Sequence, residues 1–388
     1  MLRWMQAMVL AWVVALAGPC ALAALLSRVA ETWRGHLFGL VGVAVSLAPA
    51  VWGLGVARAR HGLRRAGTVL GALAMVGTAV LVGSVPTARP PSSAGAWSEG
   101  PRSLGLPTLL PEVDQLILGT YLAALVDPIL TARAAGHLRA TLLSVYRPMA
   151  HDADFASLPT QLDEAYQDVA RGQRFIYVPP HGPEERLPCV VFLHGSAGNF
   201  QGYLWVWKRL ADRGRFVVVA PGFGFGNWQR RGGVEAVRAA RREAERTLPV
   251  DPSRFILAGL SNGGRGVMRV IEDDPALRWR AVVLLSAVVD LEPTPAAWTG
   301  RPTLVIHGLE DDRITKPWLD EAVRALRAAG AAVETRFDPE ADHFLFFTKP
   351  EEIDDWVLKF LAPWLVSRSA GAAHPPATRG SGSPRRSS

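Results

Sequence analysis

The stretch Phe255-Ile256-Leu257-Ala258-Gly259-Leu260-Ser261-Asn262-Gly263-Gly264 decides the fold. Its first four residues are apolar without alternation, the pattern of a strand covered on both faces. A glycine two residues before Ser261 and another two after it allow a turn so sharp that side chains there would clash. Gly263-Gly264 then opens a stretch with Val267, Met268 and Ile271 at helical spacing. Strand, turn and helix in this order lift the Ser261 hydroxyl above the carboxyl end of a sheet.

Around this element, short apolar runs alternate with amphipathic stretches from Gln173 onward. Strands are predicted over 174–178, 189–193, 216–220, 255–259, 281–285, 303–306 and 333–337, with helices that include 234–247, 318–329 and 353–365. The alternation predicts an α/β unit, a mostly parallel sheet with helices on both faces. The strand at 189–193 runs into His194-Gly195-Ser196-Ala197-Gly198. Such a small-residue loop leaves backbone N–H groups free to face a ligand. The two N–H groups expected to stabilise an oxyanion are those of Ser196 and of Asn262, the residue after the serine.

Four motifs, His194-Gly195, Gly259-x-Ser261-x-Gly263, His307-Gly308-Leu309-Glu310-Asp311 and Asp342-His343, occur in that order. In this the segment 174–365 resembles the α/β-hydrolase superfamily. The run Val250-Asp251-Pro252-Ser253-Arg254 is similar to polyhydroxyalkanoate-depolymerase and feruloyl-esterase-like enzymes, and also to prolyl-oligopeptidase and dienelactone-hydrolase relatives. The resemblance implies Ser261 as nucleophile, His343 as base and Asp311 as acid, with Asp312 and Asp290 as alternatives for the acid. His194 and His307 belong to His-Gly loops, where the ring is structural, and His137, His151 and His181 precede the serine, out of the family's order. The implied reaction is cleavage of a carboxylic ester, small or polymeric, through an acyl-enzyme, with no metal and no organic cofactor. Phe225 and Trp228, in the loop after 216–220, are candidates for a substrate subsite. Phe344, Phe346 and Phe347 read as core.

The 388 residues divide unevenly in charge. The net charge of +7 comes from the two ends, because 91–366 holds 30 basic and 34 acidic residues. A body without a basic stripe excludes nucleic acid as the expected partner. Residues 5–26, 37–57 and 66–85 are free of Asp, Glu, Lys and Arg, and each reaches the roughly 20 residues that cross a bilayer core. Three transmembrane helices are therefore expected within a membrane anchor at 1–85, the first of which also resembles a cleaved signal peptide. Arg58, Arg60, Arg64 and Arg65 fall between the second and third spans. By the preference of basic loops for the cytoplasm, the remainder is expected on the far side.

The expected domains after the anchor are a flexible linker at 86–104, a helical segment at 105–150, the catalytic domain at 151–366 and a disordered tail at 367–388. The helical segment should comprise two helices kinked at Pro128. Between the strands ending near Val289 and starting near Thr303, only a dozen residues are available, too few for a helical lid. An open pocket follows, unless the helices of 105–150 fold over it. Two other functions compete, a prolyl-oligopeptidase-type serine peptidase and a non-catalytic binding module at the membrane. Oligomeric state is not legible.

Overall fold

The computed structural model describes residues 2–87, 89–100, 105–127, 130–165 and 173–365. The chain begins with three helices, α1 (Leu2–Val29), α2 (Trp33–Ala57) and α3 (His61–Gly83), and strand β1 (Gly95–Glu99) follows. Five further helices precede the main sheet: α4 (Leu106–Leu109), α5 (Glu112–Val126), α6 (Ala132–Met149), α7 (Ala153–Ala156) and α8 (Gln161–Ala165). The rest is β2 (Arg174–Val178), β3 (Leu187–Leu193), α9 (Gln201–Gly214), β4 (Val217–Pro221), α10 (Gly233–Thr247), β5 (Val250–Leu260), α11 (Gly263–Asp273), β6 (Ala281–Leu285), α12 (Pro295–Trp298), β7 (Pro302–Gly308), α13 (Lys316–Ala328), β8 (Ala332–Asp338), α14 (Leu345–Thr348) and α15 (Pro350–Leu365).

The eight strands among the described residues form one sheet in the order β1-β2-β4-β3-β5-β6-β7-β8. β1 and β2 run antiparallel to their neighbours, and the pairs from β4 to β8 are parallel. Alternation along β3 explains the two cores: Val190 and Phe192 belong to the one that includes α9 and α15, whereas Cys189, Val191 and Leu193 belong to the one that includes α10, α11 and α13. Burial on both faces is why these strands read as unbroken apolar runs.

All seven expected strands are present, and an eighth was concealed in the expected linker. β1 pairs with β2 along its whole length, Gly95 with Val178 through Glu99 with Arg174. Ala96 and Trp97 are buried on opposite faces, and Glu99 pairs with Arg174 at 2.6 Å. A single large apolar side chain among Ser, Gly and Ala gives no periodicity to read, and only the exposed edge of β2 makes this segment a strand.

Two helices, Trp33–Ala57 and His61–Gly83, are long and apolar enough to cross a membrane. Their outer faces expose Leu40, Trp52, Leu73, Met75 and Val76. The first expected span lies in α1, where Ala15–Val29 forms an apolar second half of the helix. The expected kink at Pro128 and the tail from 367 lie outside the described residues.

The turn between α1 and α2 is fastened to α5 rather than free. Asp114 accepts hydrogen bonds from the backbone of Glu31 (2.6 Å) and Thr32 (3.2 Å) and from the Thr32 hydroxyl. Its carboxylate thereby caps the N-terminus of α2, although burial works to raise its pKa. Arg34 adds bonds to the Thr108 and Leu109 carbonyls. A second buried carboxylate, Glu112, holds α5 to the body: it accepts from Tyr146 of α6 and from the backbone N–H groups of Gln161 (2.7 Å) and Gln201 (2.7 Å). Burial pushes Glu112 up to about 8, against the pull of those three donors.

Candidate active site

The chain changes direction across the sheet beside β3, which neighbours β4 on one side and β5 on the other. Open α/β sheets bind ligands at the carboxyl ends of strands at such a point. Ser261 stands there, at φ 51°, in the left-handed region that non-glycine residues avoid. Its backbone is bound on both sides: the N–H donates to Leu285 (3.0 Å), and the carbonyl accepts from Gly264 and Val288 (2.9 Å each). The flanking glycines are needed for space. A Cβ on Gly259 would lie 2.7 Å from the Gly263 carbonyl oxygen, and one on Gly263 would lie 2.1 Å from that of Leu193.

The other two residues arrive from the ends of β7 and β8. Gly308 lets the loop after β8 pass over β7, since a Cβ there would lie 2.1 Å from the Ala341 carbonyl oxygen. This crossing carries His343 to Ser261, with Nε2 3.1 Å from Oγ. On the other side of the ring, Nδ1 is 2.7 Å from Asp311 Oδ2. A carboxylate only accepts, so the ring proton belongs on Nδ1 and Nε2 is left to accept from the serine hydroxyl. Asp311 Oδ1 is itself fixed by the N–H groups of Arg313 (2.9 Å) and Ile314 (2.8 Å). Burial works to raise the Asp311 pKa, but the bond to His343, its charge and the Ile314 amide outweigh it and hold the carboxyl below its usual range. His307 donates to the Ile314 carbonyl (2.8 Å) and lies 3.4 Å from Asp311 Oδ2, supporting the acid from behind. Asp312 is exposed.

The loop after β3 stands beside the serine: a Cβ on Gly195 would lie 3.2 Å from that of Ser261. Asn262 Nδ2 donates to Ser196 Oγ (3.4 Å), joining the two segments whose N–H groups are the candidate oxyanion donors. Ala197 N–H is committed to the Phe225 carbonyl at 3.0 Å. His194 locks the same loop from below, with Nδ1 donating to the Gly195 carbonyl (2.8 Å) and Nε2 accepting from Phe223 N–H (3.0 Å). Burial pushes His194 down to about 4, so the ring is neutral and serves as a brace.

Neither aromatic residue expected at the subsite lines the cavity. Trp228 is only 1% exposed, stacks on Phe223 and donates from Nε1 to the His194 carbonyl (2.8 Å). The cause is the close approach of Gly226, where a Cβ would lie 2.1 Å from the Gly195 carbonyl oxygen. That approach folds the loop back and turns Trp228 into the core. Phe225 is 53% exposed on the outside, and its role is through its carbonyl.

Ser261 and His343 open into a cavity of about 550 Å³. Its floor includes Phe346 and Phe347, which are core residues as expected but also present a surface to the cavity. Its opposite wall is made of Leu116, Gly119 and Ala123 of α5 with Leu138 and Leu142 of α6. Of the two expected arrangements, an open pocket or one covered by the helices of 105–150, the second is the one observed. The segment 290–301 carries only the four-residue α12, but the roof is supplied from before the sheet. Arg313, beside the acid, pairs with Asp127 at the end of α5 (2.8 Å) and ties roof to site. The helical periodicity of α5 and α6 is legible in sequence, whereas which of their faces meets Ser261 is not. Among the described residues no cluster of three or more His, Cys, Asp or Glu could hold a metal ion.

No protein-family model and no curated protein sequence matches the chain. Solved structures do match it. One from a study of two fungal esterases from Rhizomucor miehei is 16% identical over 50% of this chain and 79% of that one, with a TM-score of 0.44. An S-formylglutathione hydrolase from Agrobacterium tumefaciens is 20% identical over 50% of this chain and 90% of its own, with a TM-score of 0.40. The Francisella virulence factor BioJ is 17% identical over 63% of this chain and 98% of its own, with a TM-score of 0.46.

Proposed function

We propose that this chain, which has an α/β-hydrolase-like fold, is a membrane-anchored serine hydrolase that cleaves carboxylic esters. The observation that carries the reading is the hydrogen-bonded series Ser261–His343–Asp311 at the ends of three strands. In the reaction, Ser261 Oγ attacks the ester carbonyl while His343 Nε2 takes its proton. Asp311 keeps the second ring proton on Nδ1 and stabilises the imidazolium that forms. The N–H groups of Ser196 and Asn262 receive the oxyanion, a contribution worth about 3 kcal/mol per donor in such sites. The imidazolium then protonates the departing alcohol, and water, deprotonated by His343, releases the acid from Ser261. An apolar cavity under a two-helix roof suits the acyl group of an ester better than a polypeptide.

The anchor comprises α2 and α3, with α1 as a third span. Trp33 and Trp52, both exposed on α2, stand nineteen positions apart, or about 28 Å along a helix, matching the separation of the two interfaces. The α1–α2 turn is bound to the body through Asp114, so both belong on one side of the bilayer and the Arg58–Arg65 loop on the other. With that basic loop in the cytoplasm, the active site is extracytoplasmic.

A fluorophosphonate probe tests the chemistry directly. Covalent labelling and ester hydrolysis are expected of the full chain, and both should vanish in Ser261→Ala. Turnover that survives this substitution would move the nucleophile elsewhere.

A further inference from the structure

We infer that the ester carries a long acyl chain and is supplied from the adjoining bilayer leaflet, its chain entering the cavity beneath α5 and α6. This rests on the esterase reading above and names its substrate. The first observation is capacity. At roughly 30 Å³ for a water-sized group, a cavity of about 550 Å³ accommodates on the order of ten or more methylenes beyond the carbonyl at Ser261. Its walls, Leu116, Ala123, Leu138, Leu142, Phe346 and Phe347, offer such a chain apolar contact along its length. An acetyl group would leave most of this space unused.

The second observation is the position of the mouth. Among the cavity-lining residues, Gly119 on α5, Ser196 and Ala197 after β3, and Arg313 after β7 are exposed, which places the opening between α5 and these two loops. The residue next to Gly119, Leu118, packs into a cluster with Leu26 of α1, Ala30 just after it and Phe38 of α2. Phe38 lies little more than one turn inside α2 from the exposed Trp33, the depth at which headgroups give way to acyl chains. The face of α5 that begins at Leu118 continues one and two turns later as Leu122 and Leu125, the latter 81% exposed. A single helix thus touches the membrane helices with one face and the cavity with another, and its outer face is apolar without a protein partner among the described residues. The bilayer that covers the exposed side chains of α2 and α3 is continuous with that face.

Gly119 supplies a variant that is not expected to disturb folding. No atom lies within 4 Å of a Cβ built there, and a helix-interior glycine is weaker than almost any replacement. Gly119→Phe adds a ring at the mouth of the cavity. The full chain in phosphatidylcholine vesicles should hydrolyse p-nitrophenyl esters with kcat/KM rising by up to about fourfold per methylene until the cavity is filled. In Gly119→Phe the ratio of decanoate to acetate hydrolysis should fall at least tenfold, with no loss in melting temperature. For supply from the leaflet, palmitate ester placed in the protein's own vesicles should turn over at least tenfold faster than the same amount offered in separate vesicles. A flat chain-length profile, or a ratio untouched by Gly119→Phe, overturns the acyl cavity, and equal rates from the two vesicle populations overturn delivery through the bilayer. Loss of all hydrolysis together with absence of phosphonate labelling would instead bring down the esterase reading itself.

Discussion

Replacing Asp311 by Asn tests the order of the proton relay more sharply than deleting the serine does. The N–H groups of Arg313 and Ile314 hold Oδ1 at 2.9 and 2.8 Å, so an amide in this position must keep its oxygen there. Its NH2 then takes the place of Oδ2, facing His343 Nδ1, now 2.7 Å from Oδ2, and His307 Nε2, now 3.4 Å away. Two donors cannot face each other, so the His343 proton moves to Nε2 and the ring can no longer accept from Ser261. The expected loss in kcat is about 10⁴, or about 5 kcal/mol of transition-state stabilisation. The fold should survive, since both backbone bonds to the side-chain oxygen persist. Steady-state hydrolysis of a soluble p-nitrophenyl ester, with the rate of phosphonate labelling in parallel, measures the effect. Asp312→Asn and Asp290→Asn should change kcat by less than about threefold, as expected for substitutions outside the relay. A loss below tenfold in Asp311→Asn, or an equal loss in Asp290→Asn, would refute the assignment of the acid.

Three further outcomes are expected. His194 is held near 4 in the fold against an ordinary value of 6.5, so its stabilising contribution is complete above pH 6.5 and disappears as pH falls through 4. About 3 kcal/mol is involved, and urea titrations between pH 7 and pH 4 should show a flatter pH dependence in His194→Gln than in the parent; identical slopes would exclude His194 as the source. Glu112→Ala strands the Tyr146 hydroxyl and the N–H groups of Gln161 and Gln201, which should lower stability by about 3 kcal/mol and Tm by about 10 °C; a Tm within 2 °C of the parent, as measured by calorimetry, would show that this latch contributes little. In a Cys20→Ala background, an impermeant maleimide added outside the inner membrane should label Ser93→Cys but not Gly62→Cys, and the reverse pattern would invert the proposed topology.

The catalytic candidates were legible because their constraints are local. Gly259, Gly263 and Gly308 each stand where a backbone approaches within van der Waals contact, and that requirement writes glycine into the sequence beside Ser261 and His307. The seven predicted strands were legible for a similar reason, as burial on both faces demands apolar residues without interruption. Trp228 shows the limit of this reasoning. A tryptophan in a loop at the carboxyl edge of a sheet fits a subsite as well as a core, and only the approach of Gly226 to Gly195 turns it inward.

Sequence by itself determined the kind of sheet, the order of its strands along the chain, the residues able to form a proton relay and the apolar helices before them. All of these follow from short-range periodicity or from one residue's steric demands. Tertiary structure alone decided that 95–99 would join the sheet, that α5 and α6 would roof the cavity, and that the α1–α2 turn would be fastened to Asp114. These depend on pairings between segments tens of residues apart, such as Glu31 with Asp114 or Glu112 with Gln201. An edge strand needs only a free neighbouring edge, and a buried carboxylate needs only donors brought to it in space. Neither requirement leaves a mark on the residues nearby in sequence.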